Sequence, residues 1–220
     1  MTTKTVRSSA RPHTAVVLSD IDGTIVRGSL VLEHARYLHN EKIVDLGDLP
    51  DRWVADRKNE EAIAALAEAY REAIVGKTYE DIHTLDFVKN YAGDDSNFYS
   101  TIHELVEAKK NGYKVILISG SPSYLVTPFA RKFGFMSKGS NYKRDKDGFL
   151  TGECVGMYNA DSKRRHVASL KIQNYSHVVA YGDTMSDVPL FEVADYSVIV
   201  APSPNTMASV KSIIHKVIDD

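Results

Sequence analysis

Apolar residues gather in four short, nearly continuous runs. They are Ala15-Val16-Val17-Leu18, Lys114-Val115-Ile116-Leu117-Ile118, His177-Val178-Val179-Ala180-Tyr181 and Tyr196-Ser197-Val198-Ile199-Val200. Runs this short, without polar alternation and rich in Val and Ile, predict strands buried on both faces. Between them the pattern changes to a helical period, over Asn97 to Asn111, Ser123 to Phe133, Lys163 to Gln173 and Asp187 to Val193. The pair Asn111-Gly112 closes the first of these as a helix C-cap should. Strands alternating with helices predict an α/β protein with a parallel sheet covered on both sides.

Two stretches depart from this alternation. Residues 28–96 hold helical segments but no run that reads as a buried strand. Within them, Glu60 to Val75 carries Ile63, Leu66, Ala67, Tyr70 and Ile74 on one stripe, and Gly76 stops it. The simplest organisation is a helical cap at 28–96 inserted into a core of residues 14–27 and 97–220. Lys138 to Tyr158 places Asp147-Gly148 between short alternating segments, which predicts a β-hairpin. Residues 1–13 are polar, without acids, and carry Lys4, Arg7 and Arg11. The apolar run that follows is too short for a signal-peptide core, so a disordered tail is expected.

An open parallel sheet binds ligands beyond the carboxyl ends of its strands. Polar clusters stand at those ends here. The first strand leads into Asp20-Ile21-Asp22-Gly23-Thr24, the second into Ser119-Gly120-Ser121-Pro122, and the third into Gly182-Asp183-Thr184-Met185-Ser186-Asp187. Asp20 is placed to act as a nucleophile, since a carboxylate attacking phosphorus splits one hard displacement into two easier ones. Asp22 is then available as acid for the leaving alcohol and base for the following water. Backbone N–H groups at Ser119, Gly120 and Ser121, before a helix that Pro122 would start, suit phosphate oxygens, and the Ser119 hydroxyl adds a donor. Asp183 suits Mg²⁺, a hard cation that takes a few carboxylates and keeps several waters. Asp187 would bind it through water or orient a ligand, and can cap a helix at the same time. Four carboxylates and a phosphate need a second cation. Lys163, behind Asp161 and Ser162 as possible caps, can supply it. Arg164 and Arg165 beside it read as a solvated face.

Composition narrows the setting. Of 220 residues, 43% are hydrophobic and 25% charged, which is ordinary for a globular chain with one core and an insert. The net charge of -2 gives no reason to expect a nucleic-acid partner. No apolar stretch approaches the roughly 18 residues of a membrane span. Cys154 is the single cysteine, so no intrachain disulfide is possible and a cytoplasmic setting is expected. It reads as a small apolar filler. Trp53 and Tyr70 read as packing residues of the insert, and Arg27 and Arg36 as either surface pairs or contacts to an anionic substrate.

The four clusters, in this order, resemble the motifs of the haloacid dehalogenase-like phosphohydrolase superfamily: Asp20-Ile21-Asp22-Gly23-Thr24 the first, Ser119 the second, Lys163 the third, and Gly182-Asp183 with Asp187 the fourth. The resemblance covers nearly all of the chain after residue 14. It implies a Rossmann-like core, an α-helical cap, Mg²⁺ dependence and an aspartyl-phosphate intermediate. It implies that Asp20 and Asp183 hold the metal by side chains and Asp22 by its backbone carbonyl, and it places Thr24 with the phosphate-binding residues. Ser119 to Phe135, Tyr181 to Leu190, and the hairpin with Gly148-Phe149-Leu150-Thr151-Gly152 resemble the phosphoserine phosphatase-like branch. The chain departs from phosphoserine phosphatases at three positions. Ser29 stands where they carry a glutamate that binds the substrate amine, Ser121 replaces a glycine, and Ser186 an asparagine. Glu33, one turn past Ser29, is the nearest substitute. The expected activity is hydrolysis of a small phosphomonoester. Phosphoserine itself, phosphotransfer to a second acceptor, and a non-catalytic binding protein of the same fold remain as alternatives.

Overall fold

In the computed structural model, the structure describes residues 15–57, 59–156 and 159–219. The tail expected at 1–13 and the hairpin's last residue, Tyr158, lie outside them. Strands β1 (Val16–Ser19), β2 (Lys114–Pro122), β3 (Met136–Arg144), β4 (Leu150–Val155), β5 (Val178–Gly182), β6 (Tyr196–Val200) and β7 (Lys216–Ile218) form one sheet in the order β4-β3-β2-β1-β5-β6-β7. All neighbours are parallel except β3 and β4. The first strand is therefore central, with β2 on one side and β5 on the other: Val16 pairs with both Lys114 and Val178. The chain builds outward from β1 through β2 to β4 on one side, then crosses over to β5, β6 and β7 on the other, and this switch point opens a crevice at the carboxyl end of β1.

The pleat divides the core in two. Val17, Val115, Leu117 and Val198 face one cluster, while Val16, Leu18, Ile116, Ile118 and Ile199 face the other. Helices α1 (Leu30–Asn40), α2 (Leu49–Ala55), α3 (Glu60–Ala73), α4 (Thr84–Tyr91), α5 (Thr101–Lys110) and α6 (Ser123–Lys132) contribute to the first cluster. Helices α7 (Ala160–Ser169), α8 (Val188–Phe191) and α9 (Pro204–Val210) contribute to the second through Val167, Leu190, Phe191 and Val210.

Helices α1 to α4 lie in sequence between β1 and β2, the stretch read as an insert. In α3, Ala62, Leu66 and Tyr70 recur every fourth residue and are buried, and Ile74 at the C-cap continues the stripe. Asn59 starts the helix, its side chain accepting from the Ala62 N–H at 3.0 Å. Beyond it Gly76 takes φ 74°, as expected of a stop signal, and donates to the Leu150 carbonyl at 2.8 Å. Leu150 N–H in turn donates to Lys77 at 2.9 Å, so the β3–β4 hairpin is stitched to the end of α3.

Several boundaries differ from the sequence reading. The first predicted helix starts at Thr101, because Asp95–Asn97 forms a separate 3₁₀ turn. β2 runs on through Ser119-Gly120-Ser121-Pro122, with Pro122 at the α6 N-cap and paired with Ser140, where a first-turn proline was expected. The third helix starts at Ala160 and is capped by Asn159, whose side chain accepts from Ser162 N–H at 3.0 Å, in place of the caps expected at Asp161 or Ser162. The fourth is a short helix behind a 3₁₀ turn at Met185–Asp187.

Candidate active site

Asp20 follows β1 directly and is anchored by its own N–H, which donates to the Tyr181 carbonyl on β5 at 3.1 Å. Asp183 and Asp187 arrive from the loop after β5, and Lys163 from the first turn of α7. Carboxylate oxygens of Asp20, Asp183 and Asp187 lie within 4.8 Å of one another. The Lys163 ammonium bridges two of them, at 2.7 Å from Asp20 Oδ1 and 2.6 Å from Asp187 Oδ1. Both Lys163 and Asp187 are buried.

Two glycines permit this crowding. Gly23 takes φ 77°, and a Cβ there would fall 2.2 Å from Asp183 Oδ2. A Cβ on Gly182 would fall 2.4 Å from the Asp187 Cβ. Burial pushes the Asp20 carboxyl up, with Asp187 and Asp22 adding to the rise and Lys163 opposing it. Burial likewise raises Asp183, helped by Asp187 and Asp20. For Lys163, burial works against the charge, but Asp20 and Asp187 outweigh it and hold the ammonium above its ordinary range. Three carboxylates thus face one lysine, and the arrangement has room for further positive charge.

Asp187 is held on both oxygens. Oδ1 meets Lys163, while Oδ2 accepts from the N–H groups of Asp183 and Thr184, each at 3.1 Å. It forms a capping box with Thr184, so the cap role expected of it is present at the 3₁₀ turn. Arg164 and Arg165 turn away, to Glu192 at 3.1 Å and Ser162 at 3.0 Å.

The second cluster meets the first through Asp22. Its Oδ2 accepts from the hydroxyls of Ser119 and Ser121, both at 2.8 Å, and its Oδ1 from the Leu30 N–H at the start of α1, at 2.5 Å. Ser119 Oγ also accepts from the Ser121 N–H at 2.9 Å, and Gly120 offers its carbonyl to Ser140. The serines expected to face a phosphate therefore hold the Asp22 carboxylate. Thr24 also has a different contact from the one expected. It is fully buried, and its hydroxyl donates to Asp183 Oδ1 at 3.3 Å.

Beside Asp22 and Asp183 lies a cavity of about 330 Å³. Leu32, Trp53, Ile63 and Ala67 from α1, α2 and α3 form its apolar wall, and Arg27 and Arg57 bring positive charge. Of the residues singled out in and next to the insert, Arg27 and Trp53 reach it. Arg36 pairs with Glu33 at 2.7 Å. Tyr70 sits in the interior against His34 and Tyr124. Arg57 escaped the sequence reading, since an arginine after a short helix carries no pattern. Cys154 is partly buried on β4 and packs against the first core cluster.

The model of the haloacid dehalogenase-like hydrolases matches residues 17–192. The chain belongs to this family. Among curated proteins, phosphoserine phosphatase SerB1 of Mycobacterium tuberculosis (strain ATCC 25618 / H37Rv) is 25% identical over 206 residues, covering 86% of this chain and 65% of that protein. This chain therefore spans somewhat under two thirds of that relative's length. A phosphoserine phosphatase of Streptococcus thermophilus (strain ATCC BAA-250 / LMG 18311) is 27% identical over 189 residues, covering 81% of this chain and 86% of the other. Among solved structures, a Bordetella pertussis Tohama I protein of unknown function shares the fold with a TM-score of 0.70 at 18% identity, over 94% of this chain and 98% of that one. No helix among the described residues is long and apolar enough to cross a membrane.

Proposed function

We propose that the chain is a Mg²⁺-dependent phosphatase that hydrolyses a small-molecule phosphomonoester through an aspartyl-phosphate on Asp20. The observation that carries this reading is the meeting of Asp20, Asp22, Lys163 and Asp183 at the end of β1, beside a cavity closed by α1, α2 and α3. Family membership and the names of the two curated relatives support the same chemistry.

The donor set fits a hard divalent cation: buried carboxylates in excess over the one lysine, all with oxygen donors. Asp20 and Asp183 would hold Mg²⁺ by side chains and Asp22 by its carbonyl. Asp187, with both oxygens engaged, would act through water or by fixing Asp183 and Lys163. When bound, the ion supplies charge neutralisation and polarises phosphoryl oxygens.

The remaining work falls to the chain. Lys163 occupies Asp20 Oδ1, which leaves Oδ2 to attack phosphorus. The P–O bond to the alcohol breaks, and Asp22 gives its proton to the leaving oxygen. To carry that proton, an Asp22 oxygen gives up one of its present donors. Asp22 then takes a proton from water as it attacks the aspartyl-phosphate, releasing inorganic phosphate and the free Asp20 carboxylate. Helices α1–α4 serve as the cap that keeps bulk water from the transfer.

The test is phosphate release from p-nitrophenyl phosphate with Mg²⁺. Wild type should turn over, and folded Asp20→Asn should not. Full activity in Asp20→Asn would end this reading.

A further inference from the structure

We infer that the site takes a phosphorylated hydroxy acid, an ester whose alcohol carries a carboxylate and no ammonium. This rests on the phosphatase reading above and names its substrate class. In the reaction, the ester and water give the hydroxy acid and inorganic phosphate.

Glu33 follows Leu32 of the cavity wall on α1 and is only 4% exposed. Its carboxylate is already neutralised on both oxygens. Arg57 Nη1 donates to Oε1 at 2.7 Å, and Arg36 donates to Oε2 through Nε at 2.9 Å and Nη2 at 2.7 Å. These are charge-assisted bonds, among the strongest that a carboxylate makes. The pair lies tight against the backbone leaving the catalytic loop, where a Cβ on Gly28 would fall 2.6 Å from Arg57 Nη1 and 3.3 Å from Glu33 Oε1. Glu33 is therefore not a substitute receptor for an amine.

Among the described residues, no other acid takes its place. The acids that line the cavity are Asp22 and Asp183, both at its catalytic end. Asp22 already accepts from Leu30, Ser119 and Ser121 and serves the leaving oxygen in the reaction. The remaining wall carries no negative charge: it is apolar at Leu32, Ile63 and Ala67, and Ser29, which stands at the position of the amine-binding glutamate, and Tyr99 bring only neutral groups. An ammonium seated there would lose its water without gaining a charged partner, at a cost in affinity.

An anion meets the opposite situation. The Arg57 guanidinium lies over the Trp53 ring, 4.7 Å from its centre, with the ring itself buried. Stacking fixes the plane, and the bond to Glu33 uses only one of five donors. A planar fork held this way suits a carboxylate. Arg27 adds charge on the same cavity.

The decisive probes are O-phosphoserine and the two enantiomers of 3-phosphoglycerate. They share phosphate and carboxylate and differ in an ammonium or a hydroxyl on the same carbon. With Mg²⁺, kcat/KM for one phosphoglycerate enantiomer should exceed that for O-phosphoserine by about ten-fold or more. Equal or better hydrolysis of O-phosphoserine overturns the inference. The same ratio is read by calorimetric binding to Asp20→Asn, which does not depend on turnover. If p-nitrophenyl phosphate is untouched by wild type, the phosphatase reading fails, and the binding ratio still decides this one. No binding by either ester overturns it. Arg57→Ala should shrink the ratio by weakening the acid and leaving Glu33 with Arg36 alone. A ratio unchanged in folded Arg57→Ala, checked by circular dichroism, counts against the assignment.

Discussion

The Lys163 ammonium lies 2.7 Å from Asp20 Oδ1, and both groups are withdrawn from solvent. Its second contact, 2.6 Å to Asp187, makes Lys163 the counter-charge of two buried carboxylates. Removing one partner of such an arrangement leaves uncompensated charge, at a cost of about 3–5 kcal/mol. Lys163→Met should thus lose both activity and stability, the latter read by urea denaturation. Adding Asp20→Asn to Lys163→Met should recover part of the lost stability but no activity. Additive losses in that double variant would show that the two groups are not coupled.

Ser119 and Ser121 both donate to Asp22, yet their loss should differ. Ser119 Oγ also satisfies the Ser121 N–H at 2.9 Å, so Ser119→Ala strands a buried donor. That costs about 1–3 kcal/mol, against about 1 kcal/mol for Ser121→Ala, which removes a single hydroxyl. Both should lower kcat by loosening Asp22. Equal midpoints in paired denaturation curves would contradict the bond to Ser121 N–H.

Much of this site is legible in the sequence. Apolar runs ending in carboxylates placed Asp20, Asp183 and Asp187 together, because a parallel sheet forces its carboxyl ends onto one edge. What the pattern concealed was the direction of individual side chains. Ser119 and Ser121 sit where a phosphate cradle was expected, and their hydroxyls turn to Asp22. Nothing in the spacing of residues 22 and 30 announces that Asp22 also receives the first N–H of α1. The strand at Lys216–Ile218 and the helix at Pro204–Val210 were missed for a different reason. Three strand residues and seven helical ones are too few to build a period.

Excess carboxylate charge gives a prediction for the metal. Mg²⁺ at ten times its Kd should add about 1.4 kcal/mol, a rise in Tm of roughly 3–6 °C for a chain of this size. A chelator should reverse it. Asp183→Asn should abolish the shift. It should also make the metal-free protein more stable than wild type, because burial and the neighbouring Asp187 and Asp20 disfavour a charged Asp183. Differential scanning calorimetry with and without Mg²⁺ reads both effects.

His34 links the insert to the core by a directed chain. Its Nε2–H donates to the Ile82 carbonyl at 2.8 Å, so Nδ1 accepts from Tyr70 at 2.9 Å, and Tyr70 in turn accepts from Tyr124 on α6 at 2.6 Å. Burial lowers the imidazole to about 4 from its ordinary 6.5. The unfolded chain therefore binds the extra proton between pH 6.5 and 4, and stability falls as pH drops through that window, by on the order of 3 kcal/mol. His34→Gln should flatten this part of the profile, although its midpoint at pH 7 should be lower than that of wild type. An unchanged slope between pH 6.5 and 4 would place the titration elsewhere.

Gly23 is needed twice over, for its φ of 77° and for the 2.2 Å that a Cβ would leave to Asp183 Oδ2. A left-handed backbone costs alanine about 1 kcal/mol, which a chain of this size tolerates. The contact is harder to relieve, because Asp183 is backed by Thr24 and by the turn that Asp187 caps. Relief has to come from moving the Asp183 carboxylate away from Asp20. Gly23→Ala should therefore fold, with a Tm a few degrees below wild type, while losing most of its Mg²⁺-induced shift and most of its turnover. Gly182→Ala should act on Asp187 instead, where a Cβ meets the side chain at 2.4 Å. That moves the anchor of Lys163, so this variant should lose more stability than Gly23→Ala. Reversed ranks in calorimetry would mean that the acidic cluster is more compliant than its hydrogen bonds imply.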